Sequence, residues 1–338
     1  MGNILLLSSG VQQLRGAPYV APGGGDPEAP TISNVTGTVT TGQTLTITGT
    51  KLQNEDKTNW ESDLQSGEDG FEGTFATPQT SDGWDSGGDE YSTSVFLMGS
   101  QSLHWQRTGA GPQSNTIYRN ASSTTDKGMF CRLYLRCDFS TVGDGSFAND
   151  SDKIMLWYGG GANSNNYNFR EVTSGPYTEV GLLLDGMGWE YGNIPGGGLQ
   201  ENKWYCHEIE IPAASPWNWR VWINGEAVTG LNPLAGLGNP AQSPWDCTWE
   251  ENTHHNSNAN FGFDKYLDGC VVSTSRVYPA CLVEIGDSSD YVTANKVYQW
   301  PQFISDASVQ VECDITGITA THLWVTNGRN LRSGAYTL

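Results

Sequence analysis

The feature that most constrains this fold is a threonine-rich hairpin near the start of the chain that has no partner beside it. In the stretch PTISNVTGTVTTGQTLTITGTKL, from Pro30 to Leu52, the apolar residues Leu45 and Ile47 alternate with threonines around a turn at Gly42. This period-2 pattern is typical of a strand with one buried face. A lone hairpin is marginally stable in water, because its apolar face needs another layer to bury it. The polar, acidic stretch that follows supplies no third strand. The remaining strands of this unit must therefore lie elsewhere in the chain.

The composition favours an all-β protein. The 338 residues are enough for two or three domains with cores of their own. The 42 glycines, 13 tryptophans and 14 tyrosines, with no convincing helical periodicity, are typical of short strands and turns. The 17 basic and 37 acidic residues leave a net charge of −20. This charge argues against nucleic acid or an anionic membrane as the main partner.

The first ten residues, MGNILLLSSG, bear on whether the protein is secreted or inserted into a membrane. Their apolar run covers only Ile4 to Leu7 and no basic residue precedes it, so we expect neither a signal peptide nor membrane insertion. No other stretch of the sequence is long and apolar enough to cross a bilayer.

The cysteines predict buried thiols. The seven positions show no CxxC spacing, and they are Cys131, Cys137, Cys206, Cys247, Cys270, Cys281 and Cys313. An odd number leaves at least one of them outside any disulfide. We expect small buried side chains, and one disulfide with undetermined partners remains the alternative.

The middle of the chain predicts a jelly-roll sandwich. From about Trp60 to Ser275, strand-like segments follow one another between Gly, Asn, Asp and Pro clusters: YSTSVFLM, SLHWQR, GMFCRLYLRCDF, KIMLWYGG, NYNFREV, EVGLLLDG, KWYCHEIEI, NWRVWINGE and DGCVVSTSRV. Nine or more antiparallel strands suit two packed sheets. The pair KWYCHEIEIPAASPWNWRVWINGE and FGFDKYLDGCVVSTSRV resembles the closing strands of concanavalin-like, laminin-G-like domains. That resemblance implies the same fold for residues 56–280.

The last 58 residues supply the missing strands of the hairpin. CLVEIGDS, KVYQWPQFIS, ASVQVECDI, THLWVTNGRN and SGAYTL read as five short strands. They resemble strands three to seven of an immunoglobulin-like IPT/TIG module, and the hairpin resembles strands one and two. We therefore expect an antiparallel jelly-roll sandwich inserted into a seven-strand immunoglobulin-like sandwich, which is split between residues 30–55 and 281–338. The alternative is three consecutive units, which would leave two incomplete sheets with open edges.

The strand segment CHEIEI raises the question of catalysis. Glu208 and Glu210 share one face, as a glycosidase of this fold requires. Laminarinase-type enzymes carry three aligned acids in an E-x-D-x-E motif, however, and the Q-x-H and Y-F-K-type motifs of polysaccharide lyases are missing from this sequence. We expect no catalytic residues, and interpret the two acids as cross-strand partners of Arg220.

The long segment from Ala227 to Asn260 is the predicted ligand site. Its length favours a functional loop, and aromatic rings beside carboxylates and amides suit sugar recognition. We expect glycan binding by Trp217, Trp219, Trp245, Trp249, Glu250, Glu251 and His254. The alternative is that several of these tryptophans cover the ends of the sandwich. No cofactor is expected. Cys247, His254 and His255 could be read as metal ligands but lack a spacing signature, and Asp144, Asp150 and Asp152 either hold calcium or form a solvated turn.

These domain types favour a role outside cells. Release by lysis as part of a virion provides a route that needs no signal peptide, and IPT-like and lectin-like modules are familiar on tailed-bacteriophage capsids and tails. We expect a non-enzymatic virion surface protein, either a capsid decoration protein or a fibre-associated one, that adheres to a host-surface glycan. The alternatives are a glycan-cleaving hydrolase or lyase and an extracellular bacterial adhesin.

Residues 1–29 are the expected assembly arm. Their prolines and the glycines Gly23 to Gly25 disfavour a regular helix or strand. The apolar residues Ile4, Leu5, Leu6 and Leu7 are its expected anchor on another virion protein or on a second copy of this chain.

Overall fold

The computed structural model describes thirteen ranges of the chain, which are residues 27–58, 90–108, 114–115, 121–123, 129–138, 151–159, 163–170, 179–184, 188–211, 218–234, 245–254, 262–273 and 275–338. Within these ranges the secondary structure is entirely β, with no helix and therefore no helix able to span a membrane. The prediction of an all-β antiparallel sandwich protein is confirmed. The predicted anchor at Ile4 to Leu7 lies outside the described residues.

The described ranges contain twenty-two strands: β1 Thr31–Thr36, β2 Thr44–Thr50, β3 Glu90–Ser92, β4 Ser102–Thr108, β5 Ser114–Asn115, β6 Ala121–Ser123, β7 Met129–Asp138, β8 Ser151–Gly159, β9 Asn163–Arg170, β10 Glu179–Leu184, β11 Gly188–Asn193, β12 Trp204–Ile211, β13 Arg220–Ile223, β14 Glu226–Ala227, β15 Trp245–His254, β16 Gly262–Ser273, β17 Cys281–Gly286, β18 Lys296–Tyr298, β19 Trp300–Ile304, β20 Ser308–Glu312, β21 His322–Asn327 and β22 Tyr336–Thr337.

The middle of the chain forms two seven-stranded antiparallel sheets. One has the order β14-β13-β12-β7-β16-β4-β3, and we call it the inner sheet because both of its faces carry buried side chains. The other has the order β11-β10-β9-β8-β15-β5, with β6 also paired to β15. One face of the inner sheet is apolar, since Leu133, Ile209 and Leu267 are almost fully buried there. The opposite face is unusual for a buried surface because it carries charged residues.

The two ends of the chain form a second sandwich of two four-stranded sheets, ordered β1-β2-β20-β19 and β18-β17-β21-β22. Strand β2 of the N-terminal hairpin pairs with β20, which places Leu45 opposite Val311 and Ile47 opposite Val309. All four side chains are 0% exposed. The hairpin therefore buries its apolar face against strands from the far end of the chain, and we call this unit the split sandwich.

The split sandwich has eight described strands where the sequence predicts seven. The segment KVYQWPQFIS, expected as one strand, divides at Gln299 into β18 and β19, which belong to different sheets. Gln299 is fully buried, and its amide nitrogen donates to Val297 O and Asp314 O while its Oε1 accepts from Asp314 N, all at 2.8 Å. The chain changes sheet here because the glutamine side chain supplies hydrogen bonds in place of the interrupted ladder.

The two sandwiches share one hydrophobic cluster. Tyr134, Trp204 and Cys206, on the polar face of the inner sheet, pack with the core of the split sandwich. The Tyr134 hydroxyl accepts a hydrogen bond from Ala280 N at 2.9 Å. Buried Asp268 accepts from the backbone N–H groups of Leu97 and Met98 at 2.7 and 3.0 Å. The split sandwich and the segment between β3 and β4, which contains Leu97 and Met98, together cover much of this face, which explains how a polar sheet face comes to be buried.

The structure corrects the prediction of one long loop from Ala227 to Asn260. Residues 245–254 form β15, which lies between β8 and the short strands β5 and β6. The first half of the segment, WDCTWE, does alternate apolar and polar residues, but the alternation stops at the polar residues that follow, where the register shifts between Trp249 and Asn252. By contrast, the six cysteines whose side chains are described are all buried, as expected.

Candidate ligand site at the junction of the two sandwiches

Three segments that are distant in sequence meet where the chain crosses between the sandwiches. The first connection, residues 53–58, leaves the split sandwich after β2, and the second, residues 275–280, returns to it before β17. The turn after β21 lies beside both, since Gly328 N donates to Gln53 O at 2.6 Å. A Cβ added at Gly328 would stand 2.5 Å from Glu55 Cγ, so this close approach requires glycine.

Arg132 of β7 fixes both connections to the inner sheet. Its side chain is 0% exposed and forms an ion pair with Glu55, whose side chain is 2% exposed. The same guanidinium donates to Gly269 O and to Tyr278 O, each at 3.1 Å. Burial is the largest single influence and would lower the pKa of Arg132, but the charges around it, that of Glu55 first, together with the hydrogen bond to Glu55 raise the pKa overall. Arg132 therefore remains charged and holds the two crossing segments together.

Asn327 shapes the turn that faces these connections. Its side-chain oxygen accepts from Arg329 N and Leu331 N at 3.1 Å, and its amide nitrogen donates to Glu28 O at 2.8 Å. Asn330 has a φ of 59°, a left-handed conformation that asparagine tolerates in turns. The turn is thereby tied to the start of the split sandwich.

A cavity of about 330 Å³ opens between these segments. Its lining combines carboxylates, guanidinium groups, an aromatic ring and aliphatic side chains, contributed by Glu28, Glu55, Asp56, Ser275, Arg276, Val277, Tyr278, Gly328, Arg329 and Leu331. We call it the junction cavity. Binding pockets commonly occur at domain interfaces and have volumes of this order.

The carboxylates of the junction cavity already have donors. Glu28 accepts from Asn54 Nδ2 and from Lys51 Nζ, both at 3.0 Å, and these hydrogen bonds, that of Asn54 first, lower its pKa. Asp56 accepts from the Thr58 hydroxyl at 2.6 Å and from its backbone N–H at 3.1 Å, which lowers the pKa of Asp56 as well. These groups are therefore ionised near neutral pH, and both oxygens of Glu28 and Oδ1 of Asp56 accept hydrogen bonds within the protein.

The two arginines of the cavity are held differently. The guanidinium carbon of Arg276 lies 3.8 Å from the ring centroid of Trp222 and 4.9 Å from that of Tyr278. The closest carboxylate oxygen to Arg276 belongs to Glu208 and that to Arg329 belongs to Asp56, each at 3.9 Å. This separation is too long for a hydrogen bond. Within the described ranges, neither guanidinium donates a side-chain hydrogen bond, and the two side chains are 34% and 35% exposed.

The two acids of β12, Glu208 and Glu210, have different partners and differ in burial. Glu210 accepts a hydrogen bond from Arg220 at 2.9 Å, as the cross-strand interpretation expects. Glu208 is opposite Arg132 and Trp222 in the sheet register and its side chain is 2% exposed. Arg220 therefore pairs with only one of the two acids, and an oxygen of the other lies 3.9 Å from Arg276.

The predicted glycan residues are not brought together on a described surface. Trp219 is 0% exposed, so it has no ring face for a sugar and has to be removed from the expected platform. Strand β15, and not a loop, contains five of the predicted residues, Trp245, Trp249, Glu250, Glu251 and His254, and the structure does not describe their side chains. Trp217 lies wholly outside the described ranges. Among described residues no group of three or more His, Cys, Asp or Glu side chains could hold a metal ion. Asp144, Asp150 and His255 also fall outside the described ranges.

Sequence reasoning missed Arg276, Tyr278 and Arg329. The asparagine-glycine pair of TNGRN did indicate a turn, but nothing in the sequence indicated that this turn faces the connection after β16.

Fold and site together define a two-sandwich all-β protein with a polar cavity between its sandwiches. No protein-family model matches the chain, and no curated protein matches its sequence. Among solved structures, it is similar to the Emp47p carbohydrate recognition domain, at 11% identity over 65% of this chain and 98% of that one, with a TM-score of 0.41.

Two further similar structures are an endo-β-1,4-glucuronan lyase from the fungus Trichoderma reesei and a carbohydrate esterase from the Shiga toxin-encoding bacteriophage phi24B. The lyase is 12% identical over 57% of this chain and 92% of its own, with a TM-score of 0.41. The esterase is 14% identical over 58% of this chain and 92% of its own, with a TM-score of 0.35. Scores this low support no functional argument.

Proposed function

We propose that this chain is a non-enzymatic carbohydrate-binding surface protein and that its ligand occupies the junction cavity. The observation that carries the proposal is the lining of the cavity, where two arginines, polar side chains and Tyr278 border one partly open cleft. Sugars need both kinds of contact, because their hydroxyls take hydrogen bonds and their CH faces pack on apolar and aromatic surface.

The position of Glu208 supports a non-enzymatic role. A glycosidase requires both carboxylates at the scissile bond, and the carboxylate of Glu208 is 2% exposed, with one oxygen 3.9 Å from the guanidinium of Arg276. A polysaccharide chain has no access to that oxygen in this arrangement. The competing hypothesis of a hydrolase or lyase predicts release of reducing or unsaturated sugar ends from polysaccharide. We expect none, and release that disappears in the double variant Glu208→Gln/Glu210→Gln would overturn the non-enzymatic proposal.

At a finer level, we place the protein on the virion of a tailed bacteriophage, as a capsid decoration or fibre-associated protein that contacts host-surface glycan. This assignment rests on the resemblance of the sequence to concanavalin-like and IPT/TIG modules, with an extracellular bacterial adhesin as the alternative. Mass spectrometry of purified particles tests it. A fixed copy number per particle is expected, whereas recovery only from the bacterial surface would support the adhesin.

The ligand site is tested on a glycan array with a variant that fills the cavity. Ser275 lines the junction cavity and Ser289 is exposed on the loop after β17. The full-length protein and the control Ser289→Trp should bind the same glycans, and Ser275→Trp should lose them while keeping its melting temperature within a few degrees. Unchanged binding by Ser275→Trp would place the ligand elsewhere, and the absence of any hit on the array would refute the carbohydrate proposal.

A further inference from the structure

Two guanidinium groups line the junction cavity, and neither donates a side-chain hydrogen bond within the described part of the chain. A chain with 17 basic and 37 acidic residues has carboxylates in excess, so arginines without one at hydrogen-bond distance are an unexpected finding. The carboxylates closest to Arg276 and Arg329 stand at 3.9 Å, which leaves the in-plane N–H donors available to another acceptor.

Arg276 is preorganised for an acceptor. Its guanidinium lies over Trp222 and beside Tyr278, at 3.8 and 4.9 Å from the ring centroids. Stacking of this kind fixes the plane of the guanidinium while its edge remains free to donate. When a ligand accepts hydrogen bonds from these donors, the Arg276 side chain therefore loses less conformational entropy than an unrestrained arginine would.

Arg329 is presented by a rigid turn from the other side of the cavity. Its backbone N–H is held by Asn327 Oδ1 at 3.1 Å, and Asn327 is almost fully buried. Its nearest carboxylate oxygen is Asp56 Oδ2 at 3.9 Å, whereas the two hydrogen bonds from Thr58 go to the other oxygen, Oδ1. The side chain of Arg329 thus faces the cavity without a fixed acceptor in the described ranges.

We infer that the junction cavity selects a sugar that carries a carboxylate, with Arg276 and Arg329 as the residues that recognise it; this inference rests on the proposed function. A carboxylate offers two coplanar oxygens, which match the planar donor pair of a guanidinium. It also adds only one negative charge to a cavity that already contains Glu28, Glu55 and Asp56. A doubly charged phosphate would meet stronger repulsion there.

The overall charge limits the ligand further. A protein with a net charge of −20 repels polyanions at long range. The ligand is therefore a single uronic or ulosonic acid residue within a mostly neutral glycan, and a continuous polyuronate is disfavoured.

The test uses the full chain and an array on which each acidic glycan is printed beside its carboxyl-reduced form. We expect the acidic member of at least one pair to bind roughly tenfold or more tightly than its reduced partner, the range for hydrogen bonds to a charged group. Arg276→Lys and Arg329→Gln should abolish this preference. The lysine variant retains the charge and loses the planar donor pair. Arg220→Gln changes an arginine of the same sheet that pairs with Glu210 outside the cavity, so it should leave the preference intact.

The outcomes separate the two proposals. Equal binding of both members of every pair, lost in Ser275→Trp, would refute the carboxylate inference and leave the carbohydrate site standing. No binding to any member would refute the carbohydrate site and the inference with it. Binding of acidic peptides in preference to all glycans would refute both as stated.

Discussion

A single residue, Arg132, joins three parts of this protein. It lies on β7 of the inner sheet and contacts the connection that leaves the split sandwich, through Glu55, and the connection that returns to it, through Tyr278 O. Buried ion pairs contribute little net stability compared with apolar packing, but removal of one partner leaves an uncompensated buried charge. The structure therefore makes Arg132 a sensitive position.

We predict that Arg132→Met lowers the free energy of unfolding by about 3–5 kcal/mol, because Glu55 would remain buried without its cation. Urea denaturation followed by tryptophan fluorescence measures this change. Arg220→Met is the matched control, since Arg220 is 38% exposed and pairs with Glu210 near the surface, so it should cost less than about 1 kcal/mol. Similar values for the two variants would show that Glu55 is not isolated from water.

His207 gives the protein a pH dependence that can be measured on its own. It is 0% exposed, its register partners are Leu133 and Ile223, and burial lowers its pKa to about 3. An unfolded chain binds a proton at this histidine near pH 6.5 while the folded protein does not. The contribution of His207 to the unfolding free energy is therefore fully present above about pH 6.5, and it is lost progressively as the pH falls toward 3.

We predict that His207 accounts for a loss on the order of 2 kcal/mol between pH 7 and pH 5. His207→Gln should flatten the dependence of the unfolding free energy on pH in this window. The carboxyls of Glu28 and Asp56, whose pKa values are lowered, do not titrate there. His322→Gln, at a half-buried position on β21, is the control and should retain the slope. If the unfolding free energy of His207→Gln still depended steeply on pH between 5 and 7, groups other than His207 would be the cause.

At the scale of elements, strands with clear alternation were predictable and those without it were not. Leu45 and Ile47 of β2 are both buried as their period-2 pattern predicts, and KWYCHEIEI corresponds to β12. The strand β15 was read as part of a loop although its first half alternates, because that alternation is short and stops where the register shifts and only polar residues follow. The sequence also joined β18 to β19, because no propensity rule identifies a buried glutamine as the point where a chain changes sheet.

We predict that this change of sheet depends on the side chain of Gln299. Gln299→Ala would leave the N–H of Asp314 and two carbonyl oxygens without their partner, at a cost of about 2–3 kcal/mol in unfolding free energy. Gln302→Ala is the matched control, because Gln302 is exposed and accepts one hydrogen bond from Thr44 at 3.0 Å, so less than about 0.5 kcal/mol is expected. Thermal denaturation compares the two, and equal midpoints would contradict the proposed role.

At the scale of the whole molecule, the inserted jelly roll creates the candidate site. The junction cavity is lined by residues from the start of the chain, from the end of β16 onward and from the turn after β21. Turn signals and strand patterns predict each segment separately, but their meeting depends on the packing of one sandwich on the other. This is why the sequence predicted the correct type of fold but gave no sign of the junction cavity, and why its proposed glycan site was the tryptophans around β15.

Hydrogen exchange of the full chain distinguishes these two locations most directly. It should be measured by mass spectrometry with and without the acidic glycan that binds most tightly on the paired array. The junction cavity predicts slower exchange in peptides covering residues 275–278 and 327–331, with peptides covering 245–254 unchanged. Slower exchange confined to residues 245–254 would contradict the account and return the ligand site to β15.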